Sequence, residues 1–137
     1  MFKKIAVPVD LAHTDKLGKA LGVAADLSKH YGASVHLIGI TATTPTPVAH
    51  NPKEFADKLA AFAADQAKNH GVTLQSHFTT SNDPVRDLDD VLNAKIHELG
   101  ADLVIMASHI PHFREFVFAS NAGFLAGHTD VSVFVVR

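Results

Sequence analysis

The sequence predicts an α/β protein with an open five-stranded parallel sheet of order 3-2-1-4-5 and helices on both faces. Short runs rich in Val, Ile and Leu alternate with longer segments in which apolar residues recur about every 3.6 positions. Most of the short runs lack a strict two-residue alternation, as is typical of strands buried on both faces. This order of strands and helices favours right-handed crossovers between parallel strands.

Five strands are expected. Four of them are buried and span residues 5–9, 35–40, 103–106 and 133–136. Residues 73–79 alternate Leu74, Ser76 and Phe78 against Gln75 and His77. That alternation is typical of an edge strand with one wet face.

Two helices are expected between the first three strands. The first ends at Gly32, which suits a left-handed C-cap, and its apolar stripe consists of Leu17, Ala20, Leu21, Ala24 and Leu27. The second begins at Asn51-Pro52, and Glu54 completes an approximate capping box. Its apolar face carries Phe55, Leu59 and Phe62. Residues 41–51 are rich in Thr and Pro and are expected to form a loop over a crevice or a disordered connection.

Two further helices follow the third strand. One is expected to begin at Asp83-Pro84, to bury Val85, Leu88, Leu92 and Ile96, and to end at Gly100. The other is expected to begin near Ser120, and its interior glycines, Gly123 and Gly127, weaken it by about 1 kcal/mol each. The whole chain, residues 1–137, is expected to be a single domain.

Ligands of such sheets bind outside the carboxyl ends of the strands, where the chain diverges to opposite faces. Asp10 closes the first strand there and could accept a hydrogen bond from a ribose hydroxyl or hold Mg²⁺ through water. Equally, it could cap the following helix. Ser120-Asn121 could hold a phosphate at a helix N-terminus, although an ordinary N-cap serine explains Ser120 as well.

Composition excludes several classes of function. A formal net charge of −2 gives no basic field, so neither nucleic acid nor a membrane is expected as a partner. The chain has no cysteine, which excludes thiol chemistry and fits a reducing, cytoplasmic setting. His109 and His112 do not predict a metal site because Pro111 lies between them and no third ligand is indicated. Without a nucleophile elbow or a Lys-containing phosphate loop, no enzyme is expected, and any hydrolysis would be slow and incidental.

Four segments of the chain resemble the universal stress protein family. They are IAVPVD at the start, DP before the third helix, ADLVIMASH at the fourth strand and SNAGFLAGHTDVSVFVVR at the end. The resemblance runs from Lys3 to Arg137, and the ASHxP stretch followed by SNA is similar to the F and G subtypes. It implies a stress-response protein with a Rossmann-like fold that, in many family members, binds ATP.

The resemblance also assigns roles to residues. Pro8, Val9 and Asp10 would border the adenine and ribose, and Ile40 would pack on the base. The residues expected to line the ribose and phosphates are Met106, Ala107, Ser108, His109, Ala119, Ser120 and Asn121. The nucleotide-binding branch is similar to a pattern of three glycines followed by Ser or Thr, of which this chain keeps only the serine.

Three functions remain open at this point. The first is an adenine-nucleotide-binding stress protein, with ATP or AMP as ligand. The second is a nucleotide-free dimeric module in which Ile110 or Phe113, from the loop that lacks the family's glycines, fills the crevice. The third, a nucleotidyl-transferase-like enzyme, is disfavoured because its His motif would follow the first strand, whereas H-x-x-H follows the fourth here. The apolar last strand predicts a homodimer about a twofold axis.

Overall fold

The computed structural model describes residues 1–83, 86–107 and 122–137, without the side chains of residues 122–124. Its sheet has the order β3-β2-β1-β4-β5, and every neighbouring pair is parallel. The strands are β1 Lys4–Pro8, β2 Ser34–Ala42, β3 Leu74–Ser81, β4 Leu103–Ala107 and β5 Ser132–Val136. The predicted fold class and strand order are therefore confirmed.

The helices are α1 Gly18–Tyr31, α2 Pro52–His70, α3 Leu88–Leu99 and α4 Ala122–His128, and a 3₁₀ helix spans Leu11–Lys16. Gly32 ends α1 with φ 66°, the left-handed conformation that glycine adopts without strain. Asn51 caps α2 by accepting the backbone N–H of Glu54 at 2.8 Å. The Glu54 carboxylate bonds the backbone N–H of His50, one residue before the position of an ideal capping box.

The core has two layers, one on each face of the sheet. Helices α1 and α2 cover the first face, and their buried residues pack on alternate residues of β1 and β2 that include Ile5, Val7, Val35 and Leu37. Helices α3 and α4 cover the second face, where Leu92, Ile96 and Leu125 pack on Ala6, Ile38, Val104 and Met106. Strands β1, β2 and β4 are thus buried on both sides, which explains their continuous apolar runs. The last strand was expected to be buried as well, and that prediction is wrong, because β5 lies at the sheet edge and only Val136 of it is buried.

The predicted start of α3 is wrong by about four residues, since the helix begins at Leu88. Asp83 instead organises the preceding turn. Its carboxylate accepts the N–H of Arg86 at 3.2 Å, and its carbonyl accepts the N–H of Asp87 at 3.0 Å. Val85, which was expected on the buried helical face, lies outside the described residues.

Strand β3 is an edge strand, as predicted, but it does not have one buried face and one exposed face. Phe78 is 41% exposed, whereas His77 is only partly exposed and contacts His36 of β2. The alternation therefore indicated the strand but not the environment of His77.

Candidate functional site

The carboxyl ends of β1 and β4 lie side by side, as the proposed site requires. Ile5 pairs with Leu103 and Ala6 with Val104, so both strands run toward the same edge of the sheet. Strand β2 flanks β1 on its other side in full register, from Lys4 opposite Ser34 to Pro8 opposite Ile38. Any crevice beyond this edge is therefore built by the segments that follow these three strands.

A cavity of about 220 Å³ opens beyond the ends of β1 and β2. Its described lining is mostly apolar and comprises Val9, Asp10, Leu11, Ala12, Ile40, Thr41, Ala42, Thr46, Pro47, Val48, Phe55 and Leu88. Of the predicted site residues, the structure thus brings Val9, Asp10 and Ile40 together. Among these described lining residues Asp10 carries the only charge, so they suit an uncharged ring or sugar better than a phosphate.

Asp10 is held in place by two contacts of its carboxylate. Oδ1 accepts the backbone N–H of Ala12 at 2.9 Å, which makes Asp10 the N-cap of the 3₁₀ helix. Oδ2 lies 2.9 Å from Nδ1 of His13. The capping alternative is therefore realised, but each carboxylate oxygen has two lone pairs and can still accept a ligand hydroxyl.

His13 does not line the cavity, but it is the side-chain partner of Asp10, and the sequence analysis did not predict that contact. Its signal was present, because Asp10 and His13 stand three residues apart directly after β1. The side chain of His13 is 26% exposed and that of Asp10 is 17% exposed, so solvent reaches both. A ligand hydroxyl at Asp10 would therefore also lie close to the His13 ring.

Of the predicted loop 41–51, Thr41 and Ala42 belong to the end of β2. The loop 43–51 forms an outer wall of the cavity, as the first of the two alternatives expected. Thr46 and Ala49 close a turn through a backbone hydrogen bond of 2.8 Å, and the Thr46 hydroxyl bonds both the N–H and the carbonyl of Ala49. The Lys58 ammonium donates to the carbonyl of Val48. The turn that flanks Pro47 and Val48, together with the bond from Lys58, thus holds both residues against the cavity.

Phe55 forms the inner wall because α2 approaches β2 closely at Gly39. A Cβ atom built on Gly39 would lie 2.8 Å from Phe55 Cε1 and 3.0 Å from Leu59 Cδ2. Only glycine leaves room for this approach. Phe55 was predicted as a core residue, and nothing local in the sequence marked it as part of a site.

A second, more open groove of about 520 Å³ adjoins the cavity. The two share Leu11, Ala12, Pro47 and Val48, and the groove adds Thr14, Lys58 and Phe62. Lys58 lies 3.2 Å from Glu54. The pKa of Glu54 is lowered to about 2, mainly by the N–H of His50 and further by the His50 ring and Lys58. Its negative charge offsets that of Lys58, so the groove has little net positive charge.

The other predicted site residues divide into two groups. Pro8, Met106 and Ala107 lie at the expected strand ends, but they do not line the cavity, and Met106 packs in the second core layer at 1% exposure. Ser108, His109, Ala119, Ser120 and Asn121 lie outside the described residues, as do Ile110, His112 and Phe113. Their assigned roles stay predictions.

Within residues 1–83, 86–107 and 122–137, no three His, Cys, Asp or Glu side chains converge as a metal site would require. No helix of that same part is sufficiently long and apolar to span a bilayer.

Fold and crevice together define a doubly wound α/β protein with a cavity at the carboxyl ends of its central strands. The chain matches the model of the universal stress protein family over residues 1–137, and it belongs to that family. Curated relatives include universal stress protein G of Shigella flexneri, 27% identical over 143 residues, and that of Salmonella typhimurium, 28% identical over 145 residues. Each alignment covers 100% of both chains.

Solved structures of the family share the fold. A universal stress protein from Archaeoglobus fulgidus in complex with dAMP superposes with a TM-score of 0.66 at 18% identity, covering 98% of each chain. A universal stress protein in complex with cAMP superposes with a TM-score of 0.70 at 17% identity, covering 99% of this chain and 97% of the other. A family protein from Arabidopsis thaliana with AMP bound superposes with a TM-score of 0.65 at 13% identity, covering 98% of this chain and 90% of the other. At sequence identities of 13–18%, this structural similarity shows a shared fold.

Proposed function

We propose that this protein binds an adenine nucleotide in the cavity beyond β1 and β2. The observation that carries the proposal is the position of the Asp10 carboxylate in the wall of a cavity at the carboxyl edge of the sheet, whose other described lining residues are uncharged and mostly apolar. Ligand sites commonly combine an apolar lining with a few placed polar groups. Adenine and ribose together match that combination.

The parts of the ligand have separate partners in this arrangement. Val9, Ile40 and Phe55 offer apolar surface to the adenine ring, and Asp10 accepts a hydrogen bond from a ribose hydroxyl. The described lining provides no cation for phosphates. The number of phosphates, ATP or AMP, and a contribution of Mg²⁺ therefore depend on the segment that contains Ser120, which the sequence assigned to the phosphates.

Three solved family structures contain dAMP, cAMP or AMP, and they support an adenine nucleotide as the class of ligand. We propose ATP or AMP for this chain, bound as a signal in a stress response rather than as a substrate. The sequence has neither a nucleophile elbow nor a Lys-containing phosphate loop, which supports this part of the proposal. A cytoplasmic location follows from the same proposal, since adenine nucleotides are most abundant there.

Calorimetric titration with AMP and with ATP, each with and without Mg²⁺, tests the proposal. Asp10→Asn keeps an oxygen for the N–H of Ala12 but removes the negative charge, so it should weaken nucleotide binding about tenfold or more. Asp26→Asn, at an exposed position of α1, is the matched control and should bind as the wild type does. Absence of binding at millimolar nucleotide would refute the proposal.

A homodimer through β5 is the second part of the proposal. Strand β5 lies at the sheet edge and exposes Phe134 (45%) and Val135 (38%). An apolar edge strand favours pairing with its own copy about a twofold axis. Sedimentation should give twice the 14.6 kDa monomer mass, and Val135→Lys should shift the protein toward monomer. A dimer that binds no nucleotide would favour the alternative, a nucleotide-free interaction module.

A further inference from the structure

Two histidines join the edge strand β3 to its neighbour β2. Nδ1 of His36 lies 2.8 Å from Nε2 of His77, and the two rings are stacked with centroids 5.0 Å apart. Nε2 of His36 lies 3.0 Å from the hydroxyl of Ser34. We call His36 and His77 the histidine pair. The pair links the two strands through side chains, in addition to the backbone pairing between them.

The surroundings of the histidine pair oppose positive charge. His36 is 5% exposed, and burial is the main cause that lowers the pKa of both rings. Lys4 of β1 and Lys95 of α3 add positive charge nearby, while Glu98 of α3 partly compensates at His77. The net effect is that the pKa of each histidine lies below its usual 6.5.

The geometry of the hydrogen bond sets how many protons the histidine pair can hold. A hydrogen bond between Nδ1 and Nε2 needs one donor and one acceptor, so it persists with both rings neutral or with one ring protonated. When both rings are protonated, two N–H groups face each other at 2.8 Å and two positive charges meet inside the protein. The bond must then break.

We propose that the histidine pair is an acid-sensitive contact that releases β3 from β2 when it takes up protons. The consequence reaches the cavity because β3 continues beside its wall, with Thr79, Thr80 and Ser81 in register with Ile40, Thr41 and Ala42. Acid should therefore loosen the β2 side of the cavity. This inference does not depend on which ligand the cavity holds.

The direction of the pH effect follows from the lowered pKa values. An open state with solvated rings binds protons near pH 6.5, whereas the closed state binds them only at lower pH. The contact is therefore fully stable above about pH 6.5 and weakens as pH falls below it. For each histidine, each pKa unit between the two states changes the opening equilibrium about tenfold.

Hydrogen exchange measured by NMR tests the proposal. We expect the protection factors of β3 amides bonded to β2 to decrease between about pH 7.5 and pH 5, relative to those of β4. His77→Gln keeps an amide at the position of Nε2 and removes one titrating ring, so it should reduce the difference between β3 and β4. His30→Gln, at an exposed position of α1, is the control and should behave as the wild type does.

Equal pH dependence of β3 and β4 in the wild type would overturn the proposal, and so would an unchanged difference in His77→Gln. If that variant does not fold, the ring protons of the wild-type histidines supply the answer. Both rings of the histidine pair should titrate below pH 6.5, and titration of both rings at or above pH 6.5 would equally overturn the proposal.

Discussion

Replacing Gly39 with alanine tests the close approach of α2 to β2 that shapes the inner wall of the cavity. The added Cβ would lie 2.8 Å and 2.9 Å from two ring carbons of Phe55 and 3.0 Å from Leu59 Cδ2. Carbon atoms in contact prefer about 3.5–4.0 Å, so the overlap is about 0.5–1 Å. Phe55 and Leu59 are 4% and 1% exposed and have little room to withdraw.

The expected effect is the difference of two opposing contributions. Overpacking of a filled core costs about 1–3 kcal/mol. Replacing glycine within a strand returns about 0.5–1 kcal/mol, because alanine loses less backbone entropy on folding. Gly39→Ala should therefore lower the free energy of unfolding by about 1 kcal/mol. It should also weaken ligand binding, since Phe55 must move into the cavity or carry α2 outward.

Urea unfolding followed by circular dichroism measures this change, because the chain has no tryptophan for fluorescence. With a urea m-value of about 1–3 kcal/mol/M, the midpoint should fall by about 0.3–1 M. The matched control is Gly22→Ala in α1, where a Cβ meets nothing within 4 Å and helix propensity should raise stability by up to about 1 kcal/mol.

A double variant locates the strain. Phe55→Leu should cost less in the Gly39→Ala background than in the wild type, because the smaller side chain relieves the overlap. The reasoning is refuted if Gly39→Ala is as stable as the wild type or more stable.

Two further predictions concern single contacts. Asn51→Ala removes the side-chain cap of α2 and should destabilise the protein by about 1 kcal/mol in the same urea assay; an unchanged midpoint would contradict the capping role. His97 bonds the Asn93 carbonyl at 2.8 Å and the Asp130 carboxylate at 2.7 Å, which raises the pKa of His97, while the bond from His97 lowers the pKa of Asp130. This contact should stabilise the protein from about pH 6.5 down to the lowered pKa of Asp130, and it should lose its effect as pH rises through the raised pKa of His97. Asp130→Asn should bring that pKa back toward 6.5 in an NMR titration, whereas the exposed-site control Asp65→Asn should leave it unchanged.

The fold could be predicted because its signals are local. Strands buried on both faces must be continuously apolar. Gly32 ends α1 in a left-handed conformation that favours glycine, and Asn51 begins α2 with a side-chain cap that only a few residue types can provide. The start of α3 was less predictable. An Asp-Pro pair suits a turn as well as a helix N-terminus, and the hydrogen bonds of Asp83 within the turn decide between the two.

The site was less predictable because its walls depend on contacts between distant segments. Asp10 was identified from its position after a buried strand, but the contribution of Phe55 follows from how closely α2 packs on Gly39. The histidine pair depends on the register of β2 and β3, which places Ile38 opposite His77. The two histidines come from segments about 40 residues apart in the chain, so His36 was interpreted only as part of an apolar run.

The turn closed by Thr46 and Ala49 has a consequence for recognition at the cavity. Pro47 and Val48 are held there by bonds within the protein, so a molecule entering the cavity need not order this segment on arrival. Association should therefore be fast, with little loss of chain freedom on this side. Selectivity at this wall would come from the shape of a boundary that is already formed before a ligand arrives.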